Sequence, residues 1–253
     1  VKGRKNFFFE NKQQTFANGE RLTFLRVAET GFALSGWRWF SMSGQRHPKE
    51  QNAMTEFEGR TADHPIEPLF IERWSPRAFT GEAMDQATLL TIFEAARWAP
   101  SSYNSQPWRF VYAHRDTPAW ETLFGLLVEG NQAWCARAAV LMVALSKTMM
   151  SPRGEEVPSH SHSFDAGAAW QNIALQTTLL GWHAHGMVGL DMKRAITELG
   201  VPHGYHVECA IALGRRGDAS TLPERVQTME KPNGRNPVES FIFEGIFEGI
   251  FKA

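Results

Sequence analysis

The chain reads as a layered domain of alternating helices and strands, of the α/β or α+β class, on three observations. Hydrophobic residues make up 43% of its 253 positions, enough for a sizeable core. From about residue 54 onward the apolar residues fall into helical and extended periods in turn. Capping residues and Gly or Pro stops mark where one segment gives way to the next.

Before residue 54 that regularity is missing. Phe-rich and polar patches alternate there without helix or strand period, and Gly31 to Trp39 suggests no clear element. Residues 1–53 are therefore expected to be a leader, disordered or non-native, with a regulatory or partner-binding arm as the alternative. Met54 opens a segment, 54–253, that reads as a domain in itself.

Within it, Asp85 is placed to cap a helix carrying Leu89, Ile92, Phe93 and Ala96 on one face, ending near Pro100. Arg109 to His114 reads as a strand, Trp120 to Val128 has helical spacing, and Ala138 to Leu145 is a buried strand. Ser163 is expected to cap a long helix through Leu180 that stops at Gly181. Its packed face is Trp170, Ile173, Ala174, Thr177 and Leu180. Asp191 caps a shorter helix ending at Gly200, and Val207 to Leu213 is a further apolar strand. The tail repeats Phe-Glu-Gly-Ile from Phe243 to Phe251, an apolar stretch that needs a surface to cover.

Composition excludes several classes. A net charge of −1 gives no basic excess for nucleic acid and no polybasic tail for a membrane surface. Two cysteines, Cys135 and Cys209, make no disulfide framework, which fits a reducing compartment and a cytoplasmic protein. The longest apolar run, Ala138 to Leu145, is too short to cross a bilayer. The basic start is followed by Phe7-Phe8-Phe9 and then by Glu10 and Lys12, which is not a signal peptide. His160-x-His162 lacks acidic or Cys partners at helical spacing, so no metal site is expected. No dinucleotide glycine fingerprint, Walker loop or nucleophile elbow is present. Cys135 is read as core, and His183 and His185, alternating on a strand, as structural.

The densest chemistry lies in the loop from Ala99 to Trp108, Ala-Pro-Ser-Ser-Tyr-Asn-Ser-Gln-Pro-Trp. Its amides and hydroxyls offer donors and acceptors suited to the edges of a flat heterocycle. One helix upstream, Arg73-Trp74-Ser75-Pro76-Arg77 adds two cations and a hydroxyl, and Arg73 is suited to fork onto a phosphate. Further on stand Gly130-Asn131-Gln132-Ala133-Trp134, then Gly181 to Gly189, then Glu230-Lys231-Pro232-Asn233-Gly234-Arg235.

These blocks, in this order over roughly Pro65 to Phe247, resemble the nitroreductase family of FMN-dependent oxidoreductases. The family's first motif is usually Arg-Arg-Ser-x-Arg, and Trp74 replaces its second basic residue. If that position meets FMN through its backbone the change is harmless; if through its side chain, a contact is lost. The resemblance implies an α+β three-layer fold with a central mixed β-sheet flanked by helices, and a C-terminal tail wrapping the dimer partner.

FMN would lie at the interface of a homodimer. The resemblance places Arg73, Trp74, Ser75, Arg77, Asn131, Gly186, Met187, Val188, Gly189 and Arg235 around it. Pro100, Ser101 and Ser102 would serve the partner's FMN, with Asn104 and Gln106 binding or bracing that loop. It also implies that NAD(P)H, as NADH or NADPH, gives hydride to flavin N5 and that a nitroaromatic or quinone then receives it, in ping-pong order. The chemistry is the cofactor's, so no catalytic side chain is assigned. The alternatives are a member specialised in dehydrogenating or dehalogenating one metabolite, and a flavin-storing or flavin-sensing protein without turnover. Lys147 to Pro158 is expected to shape the acceptor pocket.

Overall fold

The computed structural model describes residues 56–247 in full and, as backbone alone, the strands Phe7–Thr15, Arg21–Glu29 and Arg38–Ser41. Two compact units result, Val1–Ala53 and Met54–Ala253. In the first, β1 (Phe7–Thr15), β2 (Arg21–Glu29) and β3 (Arg38–Ser41) form an antiparallel sheet in that order. This corrects the expectation of no strand there. The signal was present: Asn18-Gly19 stands between two runs that mix aromatic and polar residues, which marks a hairpin. The rest of the leader expectation lies outside the described residues.

The second unit begins with a small hairpin, β4 (Glu56–Phe57) and β5 (Arg60–Thr61). Helices α1 (Pro68–Glu72) and α2 (Gln86–Arg97) follow. Asp85 caps α2 as expected, its carboxylate accepting from the Thr88 N–H at 2.8 Å. A 3-10 turn, Ser102–Asn104, leads into β6 (Trp108–His114). Next come α3 (Pro118–Gly125), α4 (Glu129–Cys135) and β7 (Val140–Lys147). The hairpin β8 (Met149–Met150) and β9 (Val157–Pro158) precedes α5 (His162–Leu179). The chain closes with β10 (His183–Met187), α6 (Met192–Glu198), β11 (Tyr205–Gly214) and α7 (Glu224–Gln227).

Two boundaries differ from expectation. α3 ends at Gly125, short of Val128, because Val128 begins the approach to α4 as its N-cap. α5 begins at His162, so Ser163 sits inside the first turn and donates to Glu208 Oε1 at 2.7 Å instead of capping. The buried carboxylate of Asp165 orders that turn, accepting from Ser161 Oγ at 3.0 Å.

The central sheet has the order β10-β11-β7-β6. Its strands alternate between two faces, the period-2 rule of a sheet buried on both sides. Val140, Met142 and Ala144 join the core beneath α2 and α5, with Leu89, Ile92 and Ile173. Leu141, Val143 and Leu145 join the core beneath α3, α4 and α6, with Trp120, Leu123, Trp134 and Ala195. Three layers result, as the family resemblance implies.

The sheet is not mixed in its pairing, however: every hydrogen-bonded neighbour runs antiparallel. Two short helices, α3 and α4, join β6 to β7, and together they return the chain to the end it left, since His114 faces Val140. The single helix α5 carries the chain from β7 to a strand of the same direction, β10, but β11 lies between them. Among the described residues no helix is long and apolar enough to cross a membrane, and no cluster of His, Cys, Asp and Glu is arranged to hold a metal.

Leu89 is fully enclosed between α2 and the sheet. Leu89→Ala is expected to cost about 2–5 kcal/mol, and Asp85→Ala about 1 kcal/mol, in urea unfolding. A loss below that of the cap variant at Leu89 would contradict the layer assignment.

Candidate functional site

α1 ends at Glu72 with Arg73 as its C-cap, and the chain then runs extended along the edge of the sheet next to β10. The Trp74 side chain is buried, edge-on to His183 at 6.4 Å, with the Arg216 guanidinium 4.8 Å from its ring centre. Its indole is thus packing, and the side chains that this motif presents are Arg73, Ser75 and Arg77. Arg73 Nη1 lies 3.4 Å from Ser75 Oγ. Phe79 bridges to Arg216 just past β11 and fastens the end of the segment.

One carboxylate then ties this loop to the far end of the chain. Glu230 accepts from the backbone N–H of Arg77 at 2.9 and 3.0 Å and from that of Ala78 at 2.9 Å. Arg77 Nη1 adds a bond to the Met229 carbonyl at 3.3 Å. The segment leading to Arg235 is thereby held beside Arg73. Arg235 Nη1 is positioned by the carbonyls of Asn233 and Gly234 at 3.2 and 2.9 Å. Asp63 accepts from the Val238 N–H at 2.9 Å and draws in the β4–β5 hairpin. That hairpin carries Arg60.

Three guanidinium groups therefore crowd together. Burial lowers the pKa of Arg73, and the charges of Arg235 and Arg60 lower it further. Arg60 is lowered by burial and by Arg235, against a smaller opposing pull from Glu58. Among the described residues none of the three forms an ion pair, and Glu58 is engaged by Arg216 at 2.8 Å. Arg60 is buried, Arg73 half-buried and Arg235 exposed, so like charges are grouped at the surface around one buried member. Such a group suits an anion, and the planar fork of arginine suits phosphate oxygens.

β10 supplies the neighbouring wall. His185 Nδ1–H donates to the Pro76 carbonyl at 3.0 Å, and its ring lies 4.5 Å from that of Trp134. Burial pushes the His185 pKa down to about 4, with help from the Arg77 and Arg73 charges. His183 also falls to about 4, through burial and then Arg216. Past Gly186, the Met187 side chain turns into the core while Val188 is exposed. Gly189 has no room for a side chain, because a Cβ there would stand 2.6 Å from Asn131 Nδ2. Asn131, in the first turn of α4, donates to the Gly189 carbonyl at 2.9 Å and so braces the Gly186–Gly189 segment.

Pro100, Ser101, Ser102, Asn104 and Gln106 form a second group. Their loop enters β6, the opposite edge of the sheet from β10. Three strand spacings, roughly 14 Å, separate those edges. Asp165 accepts from the Ser102 N–H at 3.1 Å, Ser101 Oγ from the Gln106 N–H at 3.0 Å, and the Asn104 carbonyl from Gln106 Nε2 at 3.1 Å. Tyr103, Asn104 and Gln106 all have positive φ, at 50°, 53° and 48°. Strain of about 1–3 kcal/mol at each is sustained by those bonds. Among the described residues no hydrogen bond or ion pair joins this loop to residues 73–78. In one chain, then, the candidate residues form two separate groups.

Arg60, Glu230 and the bracing role of His185 were not among the sequence-derived site residues. Glu58-Gly59, both with positive φ (44° and 76°), is a two-residue hairpin turn that places Arg60. That dipeptide was the available signal.

The fold and site together define a three-layer α+β domain with a cluster of arginines beside a glycine-bearing edge strand. The chain belongs to the nitroreductase family: the family model described as "Nitroreductase family" matches residues 71–215. A solved structure described as an oxidoreductase containing FMN is 48% identical, covering 78% of this chain and all of its own, with a TM-score of 0.75. An uncharacterized 15.4 kDa protein of Mycolicibacterium smegmatis is 32% identical over 126 residues, 49% of this chain and 81% of its own length. A Streptomyces coelicolor protein provisionally named NADH dehydrogenase/NAD(P)H nitroreductase is 40% identical over 75 residues, 30% of this chain and 37% of its own.

Both histidines of β10 titrate near pH 4 when folded, against an ordinary value of 6.5. The unfolded chain binds more protons between those values. Their contribution is therefore complete above about pH 6.5 and is lost as pH falls toward 4, by about 2–3 kcal/mol per ring. Urea unfolding of wild type and of His183→Gln/His185→Gln at pH 7 and pH 5 measures it. A wild-type loss no larger than that of the double variant would contradict the buried, neutral assignment.

Proposed function

We propose that this protein is an FMN-dependent NAD(P)H oxidoreductase that works as a homodimer and reduces nitroaromatic or quinone acceptors. The observation that carries the reading is the cluster of Arg60, Arg73 and Arg235, to which no carboxylate among the described residues is paired. Such a cluster fits the 5′-phosphate of FMN, and the similar oxidoreductase containing FMN supports the choice. The provisional name of the Streptomyces relative supports a reduced nicotinamide nucleotide as donor.

Each group of residues has a task on this reading. Arg73 and Arg235 hold the phosphate, and Ser75 and Arg77 reach toward the ring system. A cation at the pyrimidine edge stabilises the reduced, anionic form of the ring. Asn131 keeps Gly189 in place, so that Gly186, Met187, Val188 and Gly189 can offer backbone groups to the flavin. Trp74 contributes through its backbone, since its indole is buried. His185, neutral at pH 7, fixes the Arg73 loop through Pro76 and is not a proton donor to the acceptor. When bound, FMN supplies a centre that accepts a hydride and passes it on. The net reaction moves a hydride from NAD(P)H, with a solvent proton, onto a quinone to give the hydroquinone.

The second group belongs to the neighbouring subunit's site. Pro100, Ser101 and Ser102 sit at the other edge of the sheet, so a ligand touching both groups needs two chains. Exposed apolar side chains near that loop, among them Trp98, Tyr103 and Phe164, fit a subunit contact. Phe241, Ile242, Ile246 and Phe247 are exposed on the tail and would be covered by lying on the partner. A cytoplasmic location fits the two free cysteines.

The purified protein is expected to be yellow and to release FMN on denaturation, and to oxidise NADH or NADPH when a quinone or nitroaromatic is supplied. Arg73→Ala should weaken FMN about tenfold or more. Undiminished flavin content in that variant would contradict the site; bound flavin without turnover would favour a storage role.

A further inference from the structure

We infer that Asp165 is a positioning residue for the neighbouring subunit's site: through the Ser102 N–H it holds the Pro100 loop, residues 100–106, in the shape that the other chain's flavin meets. The inference rests on the two-chain flavin reading, and its evidence lies in the bonds around Asp165. The side chain is 4% exposed, and Oδ2 accepts from the Ser102 N–H at 3.1 Å and from Ser161 Oγ at 3.0 Å. Bonds from a backbone N–H to a carboxylate are charge-assisted and strong. Among the described residues, the Ser102 bond is the only hydrogen bond from residues 100–106 to a part of the chain outside residues 99–109. The loop's other bonds return to itself or to Arg109.

Asp165 is itself fixed before it reaches the loop. It lies in the first turn of α5, where the positive end of the helix dipole favours a carboxylate. The same turn is bound to two strands of the sheet. Ser163 Oγ donates to Glu208 Oε1 on β11 at 2.7 Å. Ser146, fully buried on β7, lies 2.7 Å from His162 Nδ1 and also donates to Glu208. The loop, in contrast, keeps Tyr103, Asn104 and Gln106 at positive φ, which side chains other than glycine rarely adopt. Released from its anchor, such a loop visits that shape for only a fraction of the time. The apparent affinity of a ligand that needs the shape falls by the same fraction.

The bond can be removed from either side. Asp165→Ala deletes the acceptor, and Ser102→Pro deletes the donor N–H, with Ser102→Ala as the control for the lost hydroxyl. Proline suits this position, because Ser102 opens a 3-10 turn and Ser101 before it is extended, at φ −151° and ψ 152°. FMN dissociation constants, from quenching of flavin fluorescence, are expected to rise about ten- to a hundredfold in Asp165→Ala, the loss of a charge-assisted bond. Ser102→Pro should show the same rise relative to Ser102→Ala. The two changes together should weaken FMN no further than the worse of them alone, since both delete one bond. Asp165→Asn should recover part of the loss, since it keeps an acceptor without the charge.

Mixed dimers show which chain's site is served. In a dimer of one Arg73→Ala chain and one Asp165→Ala chain, both lesions fall on the same site if Asp165 serves its neighbour. The other site then binds FMN as wild type does. An effect on its own chain's site, or on the stability of its own chain, leaves no site of wild-type affinity, and that result overturns the inference. Additive losses in the double variant, or an unchanged FMN constant in Asp165→Ala and Ser102→Pro, overturn it as well. Should Asp165→Ala fail to fold, Ser102→Pro, which leaves α5 untouched, carries the same arms. A wild-type protein that binds no flavin, or that stays a single chain, would overturn the functional reading and the inference with it; wild-type flavin binding without a recovered site overturns the inference alone.

Discussion

The carboxylate of Glu230, folded over the backbone N–H groups of Arg77 and Ala78, is the contact on which the candidate site depends most. It joins segments more than 150 residues apart in sequence. Charge alone would drive the arginines of those segments apart, since Arg60, Arg73 and Arg235 repel one another. The clamp acts on backbone groups and takes up none of the guanidinium groups. On the proposed reading a bound phosphate would relieve that repulsion, which would link ligand affinity to the same bonds that close the domain.

Sheet topology sets the second constraint. Because β10 and β6 are the two edges, the Arg73 loop and the Pro100 loop cannot meet across one sheet. The positive-φ residues Tyr103, Asn104 and Gln106 hold the Pro100 loop in a shape that its own hydrogen bonds sustain. On the proposed reading that loop is preformed for a ligand bound on the neighbouring subunit. On the same reading the exposed Phe241, Ile242, Ile246 and Phe247 would cover that contact from the other side.

Much of the frame was legible because it rests on local chemistry. Asp85 and Asp191 announce their helices through capping, and both side chains accept the bonds expected of them. The alternation along Val140 to Leu145 reads directly as a strand buried on both faces. Ser163 misled because serines recur at 159, 161 and 163 around the start of α5, and the choice among them depends on Asp165 and Glu208, which act from inside the helix and from β11. The mixed sheet is what the family resemblance implies, whereas the pairing of β10 with β11 and of β11 with β7 is antiparallel throughout. Arg60 was hidden for a similar reason: its importance comes from Arg235, which sequence places far away. Asn131 was read as a ligand, and the structure gives it a bracing bond to Gly189.

The central claim is a site made by two chains, and subunit complementation tests it most directly. One chain carries Arg73→Ala and the other Ser102→Tyr, so each homodimer has lost one half of both of its sites. A mixed dimer regains one intact site, formed by Arg73 of one chain and Ser102 of the other. The account predicts flavin-poor homodimers and one FMN per mixed dimer. Mixed dimers as empty as the homodimers would mean that each site lies within a single chain, and would contradict it.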